Sequence, residues 1–109
     1  METEVFAYEE EGEEDVLTQF LSEVRDKNHI KKVRKLIRFL QTQGRELGMP
    51  ISKALGDGIH ELRDRSMGFR IYYTFFNDSI AVLLIAGDKA SQDEDIERAT
   101  SRRQWFLRG

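Results

Sequence analysis

The apolar pattern of this chain changes its period between Gly56 and Gly58, and that change limits what the chain can fold into. Before it, Val16, Leu17, Phe20, Leu21 and Val24 recur at the spacing of a helix with one apolar stripe, and Ile30, Val33, Leu36, Ile37 and Leu40 repeat the pattern. After it, Ile59–Arg63, Phe69–Phe76 and Ser79–Ala86 read as strands. Helices first and strands afterwards make an α+β layer structure, in which helices cover a mainly antiparallel sheet.

The punctuation fills in the order. Val5–Tyr8 is predicted to be a first strand. A helix over about 15–27 has Asp15 as its N-cap, and the next ends near Gly44, with Lys27 and Asn28 turning the pair into an antiparallel hairpin. From Gln41 to Gly58 the breakers Gly44, Gly48, Pro50 and Gly56 predict a long loop, with a short helical turn at Ser52–Leu55. Asp64–Gly68 and Asn77-Asp78 join the three later strands as hairpins. Ser79–Ala86 is nearly all apolar, as a central strand buried on both faces would be. Ser91-Gln92-Asp93-Glu94 has the form of a capping box, opening a last helix through Ile96, Ala99 and Arg103 toward Trp105. The expected order is β-α-α-β-β-β-α, one domain over residues 1–109.

Composition removes several classes of function. The chain has no cysteine, which excludes a thiol nucleophile, a disulfide frame and a zinc finger, and suits the cytosol. No apolar run approaches the roughly 18 residues of a membrane span, and the start is acidic where a signal peptide would be basic. The net charge of −3 hides a division: residues 1–28 carry ten acidic side chains against two basic, whereas residues 29–109 carry fifteen basic against ten acidic. The acidic segment is either a frayed end or a counterweight to a basic working surface.

His29 and His60 are the only imidazoles, too few for a zinc site without cysteine. Asp93-Glu94-Asp95 suits the start of a helix, not a calcium loop. Glycine-rich phosphate loops, dinucleotide fingerprints and nucleophile elbows are absent from the sequence. What remains is a set of cations and phenols on the strands. Alternation puts Glu61 and Arg63 on one face of their strand, and Arg70, Tyr72 and Thr74 on one face of the next. If Phe69, Ile71, Tyr73 and Phe75 pack on the helices, Arg70 and Tyr72 are expected to face outward. Lys89 follows the buried strand and Lys53 sits in the long loop. Arginine forks hold phosphates, and a lysine or tyrosine moves protons, so phosphoryl chemistry is the class these residues suit. His60 alternates with Leu62, opposite Arg63, and is expected to pack in the core. Lys31, Lys32, Arg34, Lys35 and Arg38 on the second helix form either a solvated face, a surface for nucleic-acid phosphates or the footprint of a partner protein.

Four motifs sharpen this reading: Gly58-Ile59-His60-Glu61-Leu62-Arg63, Gly68-Phe69-Arg70-Ile71-Tyr72-Tyr73, Leu83 through Gly87-Asp88-Lys89-Ala90-Ser91-Gln92, and Asp95-Ile96-Glu97-Arg98-Ala99. In this order and spacing they resemble the HigB-like, phage-derived killer-protein branch of the RelE/ParE toxin superfamily. The resemblance implies a RelE-like fold, in which a helical hairpin and a C-terminal helix pack on a small, mainly antiparallel four-stranded sheet. It implies a toxin of a bacterial type II toxin–antitoxin system, cytoplasmic and without metal or other cofactor, that cleaves mRNA on the ribosome. A cognate antitoxin, of the helix-turn-helix DNA-binding kind, would silence it. By position, Arg70 would hold the scissile phosphate, Lys89 would stabilise charge or protonate the leaving oxygen, and Arg63 would support substrate binding. Tyr72, Gln92 and Lys53 are further positions of interest. This chain departs from the RelE pattern where His60-Glu61-Leu62-Arg63 replaces a lysine-rich strand and Ile96 stands where a tyrosine is expected. Two other readings of the same fold stand beside this one: a ParE-like toxin that binds DNA gyrase, and a catalytically degenerate module that only binds an antitoxin.

Overall fold

A computed structural model describes residues 2–66 and 68–108. The strands are β1 (Glu4–Ala7), β2 (Ser52–Gly56), β3 (Ile59–Arg63), β4 (Phe69–Asn77) and β5 (Ile80–Asp88), and the helices are α1 (Val16–Glu23), α2 (Lys27–Gln43) and α3 (Gln92–Arg108). They form one mixed five-stranded sheet in the order β1-β5-β4-β3-β2. This corrects the expected four strands. Ser52–Leu55 is not a helical turn but most of β2, an edge strand recruited by pairing Ser52 with Leu62 and Lys53 with Glu61. β1 returns beside β5 in parallel, Val5 against Ala81, because the α1–α2 hairpin, the long loop and the meander lie between them in the chain.

The helix ends follow local chemistry. Asp15 caps α1, its carboxylate accepting from the Thr18 amide at 2.9 Å, and Asp26 caps α2 through the Asn28 amide at 2.8 Å. The Ser91–Glu94 capping box does not form. Ser91 lies inside a short 3-10 turn that Asp88 caps, and its hydroxyl donates to Asp95 at 2.6 Å.

Both faces of the sheet are covered. The α1–α2 hairpin face is apolar: Val33, Leu36 and Leu40 of α2 meet Leu62, Phe69, Ile71, Tyr73, Phe75, Ala81 and Leu83, with Phe20 of α1 against Phe69. On the other face α3 lays Ala99 and Ile96 over Ile59, Tyr72, Leu84 and Ile85. A bulge at Leu84 leaves that residue unpaired between Tyr73–Leu83 and Tyr72–Ile85, which is how Leu84 and Ile85 both reach the α3 face. Tyr72 is therefore not outward-facing, as the alternation argument expects, but fully buried under α3. That argument treats the second face as open to solvent, and α3 closes it.

Candidate functional site

Beyond the N-terminal end of α3 the second face opens into a cleft of about 300 Å³, lined by Arg63, Arg65, Gly68, Arg70 and Lys89. Two of these cations come from paired strands, since Arg63 of β3 lies directly across from Arg70 of β4. Like charges placed opposite each other on a sheet repel. An anion seated between them would turn the repulsion into attraction. Lys89 comes from the turn after β5, and its backbone amide donates to the Gly68 carbonyl at 3.2 Å, which ties that turn to the β3–β4 loop. Gly68 holds a left-handed φ of 70° in that loop. Gly87 stands across from Arg70, and a Cβ there would overlap the Asp95 carboxylate. The missing side chain lets the start of α3 approach the sheet beside the cleft.

The charge balance is one-sided. Among the described residues, Arg63, Arg65 and Lys89 have no carboxylate within ion-pair distance. Arg70 alone is paired: its Nε lies 2.5 Å from Glu61 Oε1, and the side chain is 16% exposed against 2% for Glu61. The N–H does not point at that oxygen, so the contact is an ion pair without a directed hydrogen bond. Gln92, at the start of α3, donates its side-chain amide to the same oxygen at 3.4 Å. The acidic N-terminal segment does not cover the cleft by ion pairing. Glu10 pairs with Arg102, 3.8 Å away, whose guanidinium also stacks over Tyr8.

The remaining candidates fall into two groups. Tyr72 lies across from Glu61, and its buried hydroxyl has no hydrogen-bond partner. Burial first, then the Glu61 and Asp95 charges, push its phenol up to about 12, so it stays protonated at neutral pH. Gln92 likewise faces Glu61 and is not a lining residue. Lys53 is exposed on the edge strand β2. His60 stacks on Tyr73 at 5.2 Å and meets the edge of Phe75, and burial followed by the Arg45 charge lowers its pKa. It packs on the hairpin side and does not line the cleft. On α2, Lys31, Arg34, Lys35 and Arg38 are exposed, while Lys32 reaches the Ser66 hydroxyl in the β3–β4 loop. The basic helix is thereby joined to the segment that rims the cleft.

Size alone does not mark this site. A larger hollow of about 670 Å³ runs along α3, but its lining mixes Glu10 and Glu97 with Arg98 and Arg102. Of these two, the small cleft has the single sign of charge.

A family model described as phage derived protein Gp49-like (DUF891) matches residues 19–104. This chain belongs to the Gp49-like family. The family is associated with the toxins of toxin–antitoxin systems. The matched span of this Gp49-like protein contains every cation of the cleft and leaves β1 outside. A Haemophilus influenzae protein described as uncharacterized is 46% identical over 48 residues, which is 43% of this chain and 48% of that protein. The match thus spans about half the length of that relative.

Two residues of the site are not singled out by the sequence reading. Arg65 sits in the β3–β4 loop, where alternation assigns no face; the signal for it is the density of arginine at 63, 65 and 70. Glu61 is visible as a strand carboxylate, but its burial at 1% exposure follows from α3 closing over β3. Among the described residues no group of three or more His, Cys, Asp or Glu side chains is placed to hold a metal ion. Among the described residues no helix is long and apolar enough to cross a membrane.

Proposed function

We propose that this protein is the toxin of a type II toxin–antitoxin system, of the HigB-like branch, and acts as a ribosome-dependent, metal-independent mRNA endoribonuclease in the bacterial cytoplasm. A cognate antitoxin, a helix-turn-helix DNA-binding protein, silences it. The observation that carries the reading is the cleft itself: Arg63, Arg65, Arg70 and Lys89 line one opening, and three of the four lack a carboxylate partner among the described residues. Like charges set opposite each other, as Arg63 is to Arg70, are unfavourable for a sheet, and Glu61 answers only one of the two. A phosphodiester between them supplies the missing negative charge.

The chemistry follows from the groups present. The RNA 2′-hydroxyl attacks the adjacent phosphorus, forming a 2′,3′-cyclic phosphate and breaking the bond to the 5′ oxygen. Arg70 and Arg63 hold the non-bridging oxygens and stabilise the charge that grows on them in the transition state. Lys89 gives a proton to the departing 5′ oxygen, and the 2′-hydroxyl proton passes to water, because no histidine or carboxylate lines the cleft. Gln92 acts from beneath, through Glu61, and Tyr72, protonated and without a hydrogen-bond partner, packs beside that carboxylate. The exposed cations Lys31, Arg34, Lys35 and Arg38, with Lys32 and Lys53, bind phosphates of the mRNA or of ribosomal RNA.

The test is primer extension on mRNA in a reconstituted translation reaction, comparing wild type with Lys89→Ala. Lys89 is exposed, so its removal uncovers no buried charge, whereas Arg70→Ala would strand Glu61. New 5′ ends inside translated codons are expected, absent without ribosomes and reduced about a hundred- to a thousand-fold in the variant. Intact mRNA with folded protein would end the nuclease reading and turn attention to gyrase-dependent DNA breaks.

A further inference from the structure

We infer that Glu61 is a positioning residue, whose buried carboxylate holds the inner nitrogen of Arg70 so that the outer end of the guanidinium stays presented to the cleft. The inference rests on the proposed phosphate chemistry for its consequence, but the clamp is measurable without it. Glu61 is 1% exposed on a face that otherwise buries Ile59, Tyr72, Leu84, Ile85 and Ala99. A carboxylate is a poor choice there on packing grounds, because desolvating it is unfavourable unless a partner answers its charge. Arg70 answers it at 2.5 Å, and Gln92 reaches the same oxygen at 3.4 Å.

The choice of nitrogen matters. The contact to Glu61 is at Nε, and among the described residues the terminal nitrogens of Arg70 donate no side-chain hydrogen bond. Those two form the fork that accepts a phosphate. Without the clamp, Arg70 would face Arg63 directly across the ladder, with Arg65 and Lys89 lining the same opening. Every neighbouring charge would then push its guanidinium away from the position a phosphate needs. Glu61 reverses that balance from below without occupying the cleft. Gln92 adds a second hold from α3, so the start of the helix and the middle of β3 fix the same carboxylate.

The experiment uses the full chain and nitrogen-15 NMR of arginine side chains, with inorganic phosphate as the probe, in wild type, Glu61→Gln, Arg70→Lys and the double variant. In wild type the Arg70 Nε–H signal is expected to persist at neutral pH, because the Glu61 charge holds the guanidinium, with its buried Nε, in one place, and phosphate is expected to shift the Gly68 and Lys89 amides. Glu61→Gln keeps the shape but removes that charge, so it should release the guanidinium to solvent, speed Nε–H exchange and weaken phosphate binding about tenfold. In the Arg70→Lys background the same substitution should add nothing, because its effect runs through the fork that lysine lacks. Unchanged affinity in Glu61→Gln, or an equal loss in the Arg70→Lys background, would overturn the inference. If Glu61→Gln does not fold, Glu61→Asp keeps the charge and shortens the reach by one methylene, and it should show the same losses; wild-type affinity in it would equally overturn the clamp. Should wild type bind no phosphate, the proposed function loses its basis, while the Nε–H protection and its loss still decide the role of Glu61.

Discussion

Tyr72 and Tyr73 are neighbours in β4, and they show how differently the two faces of the sheet are built. Tyr73 points to the hairpin side, where its hydroxyl shares a 2.6 Å buried hydrogen bond with Ser52 amid Leu62, Ile71 and Phe75. Tyr72 points under α3, where its hydroxyl has no partner and its neighbours across the ladder and at the helix start are the carboxylates Glu61 and Asp95. The hairpin face satisfies its polar groups and buries apolar bulk. The α3 face spends burial on a carboxylate and an arginine and ends in a cleft where, among the described residues, three of the four cations have no carboxylate partner. Burial of this second kind is weak as a source of stability, since a buried ion pair barely offsets its own desolvation. It is effective as a source of direction. One face holds the fold, and the other, on the proposed reading, aims side chains.

The largest effect that would break this comparison lies on the hairpin face. Leu40 is fully buried on α2, and Leu40→Ala should cost about 2–5 kcal/mol in urea unfolding. Cleavage per folded molecule should stay near wild type, and an activity loss out of proportion to unfolding would show that the division between faces is false. Next is Arg63→Ala, which should do the reverse. Phosphate affinity and cleavage should fall about tenfold or more. Stability should hold or rise by about 0.2–1 kcal/mol, because a cross-strand repulsion with Arg70 is relieved. A clear drop in melting temperature would instead make Arg63 part of the framework.

A smaller effect sharpens the role of α2. Replacing Lys31 and Arg34 together by alanine should leave the chemical step alone and flatten the dependence of log affinity for ribosomes on log salt by about one to two units. An unchanged slope would make this helix face a merely solvated one. The smallest effect concerns His60. Its folded pKa is lowered from 6.5 by burial and by Arg45, so the unfolded chain binds the proton more readily. The stability this contributes is complete above pH 6.5 and is lost as pH falls through the lower folded value. Unfolding at about pH 7.5 and about pH 5.5, on either side of the unfolded value, should show that loss in wild type and not in His60→Phe. Cleavage measured on folded protein should not share it, since His60 packs on the hairpin side.

Much of this architecture is legible in the order of residues. The three-and-four spacing of Val33, Leu36 and Leu40, the alternation through Phe69, Ile71, Tyr73 and Phe75, and Asp15 as a cap each express a local preference that packing then keeps. β2 is hidden for a physical reason. Ser52-Lys53-Ala54-Leu55-Gly56 has no β-branched or aromatic residue, so it is a strand only because β3 offers it a ladder. The site divides the same way. Alternation and motif spacing bring Arg63, Arg70 and Lys89 into view, while Arg65 comes from a loop and Glu61 acquires its role through burial.

By itself the sequence determines the helix and strand periods, the Asp15 cap, the acidic start and the basic remainder, and the cations placed at strand ends, because these depend on residues a few positions apart. Only the tertiary structure decides that the sheet has a parallel β1 and an edge β2, that α3 closes the face where alternation alone would leave Tyr72 in solvent, and that Glu61 is dry. Those outcomes depend on which distant segments exclude water from one another, and no local pattern carries that information.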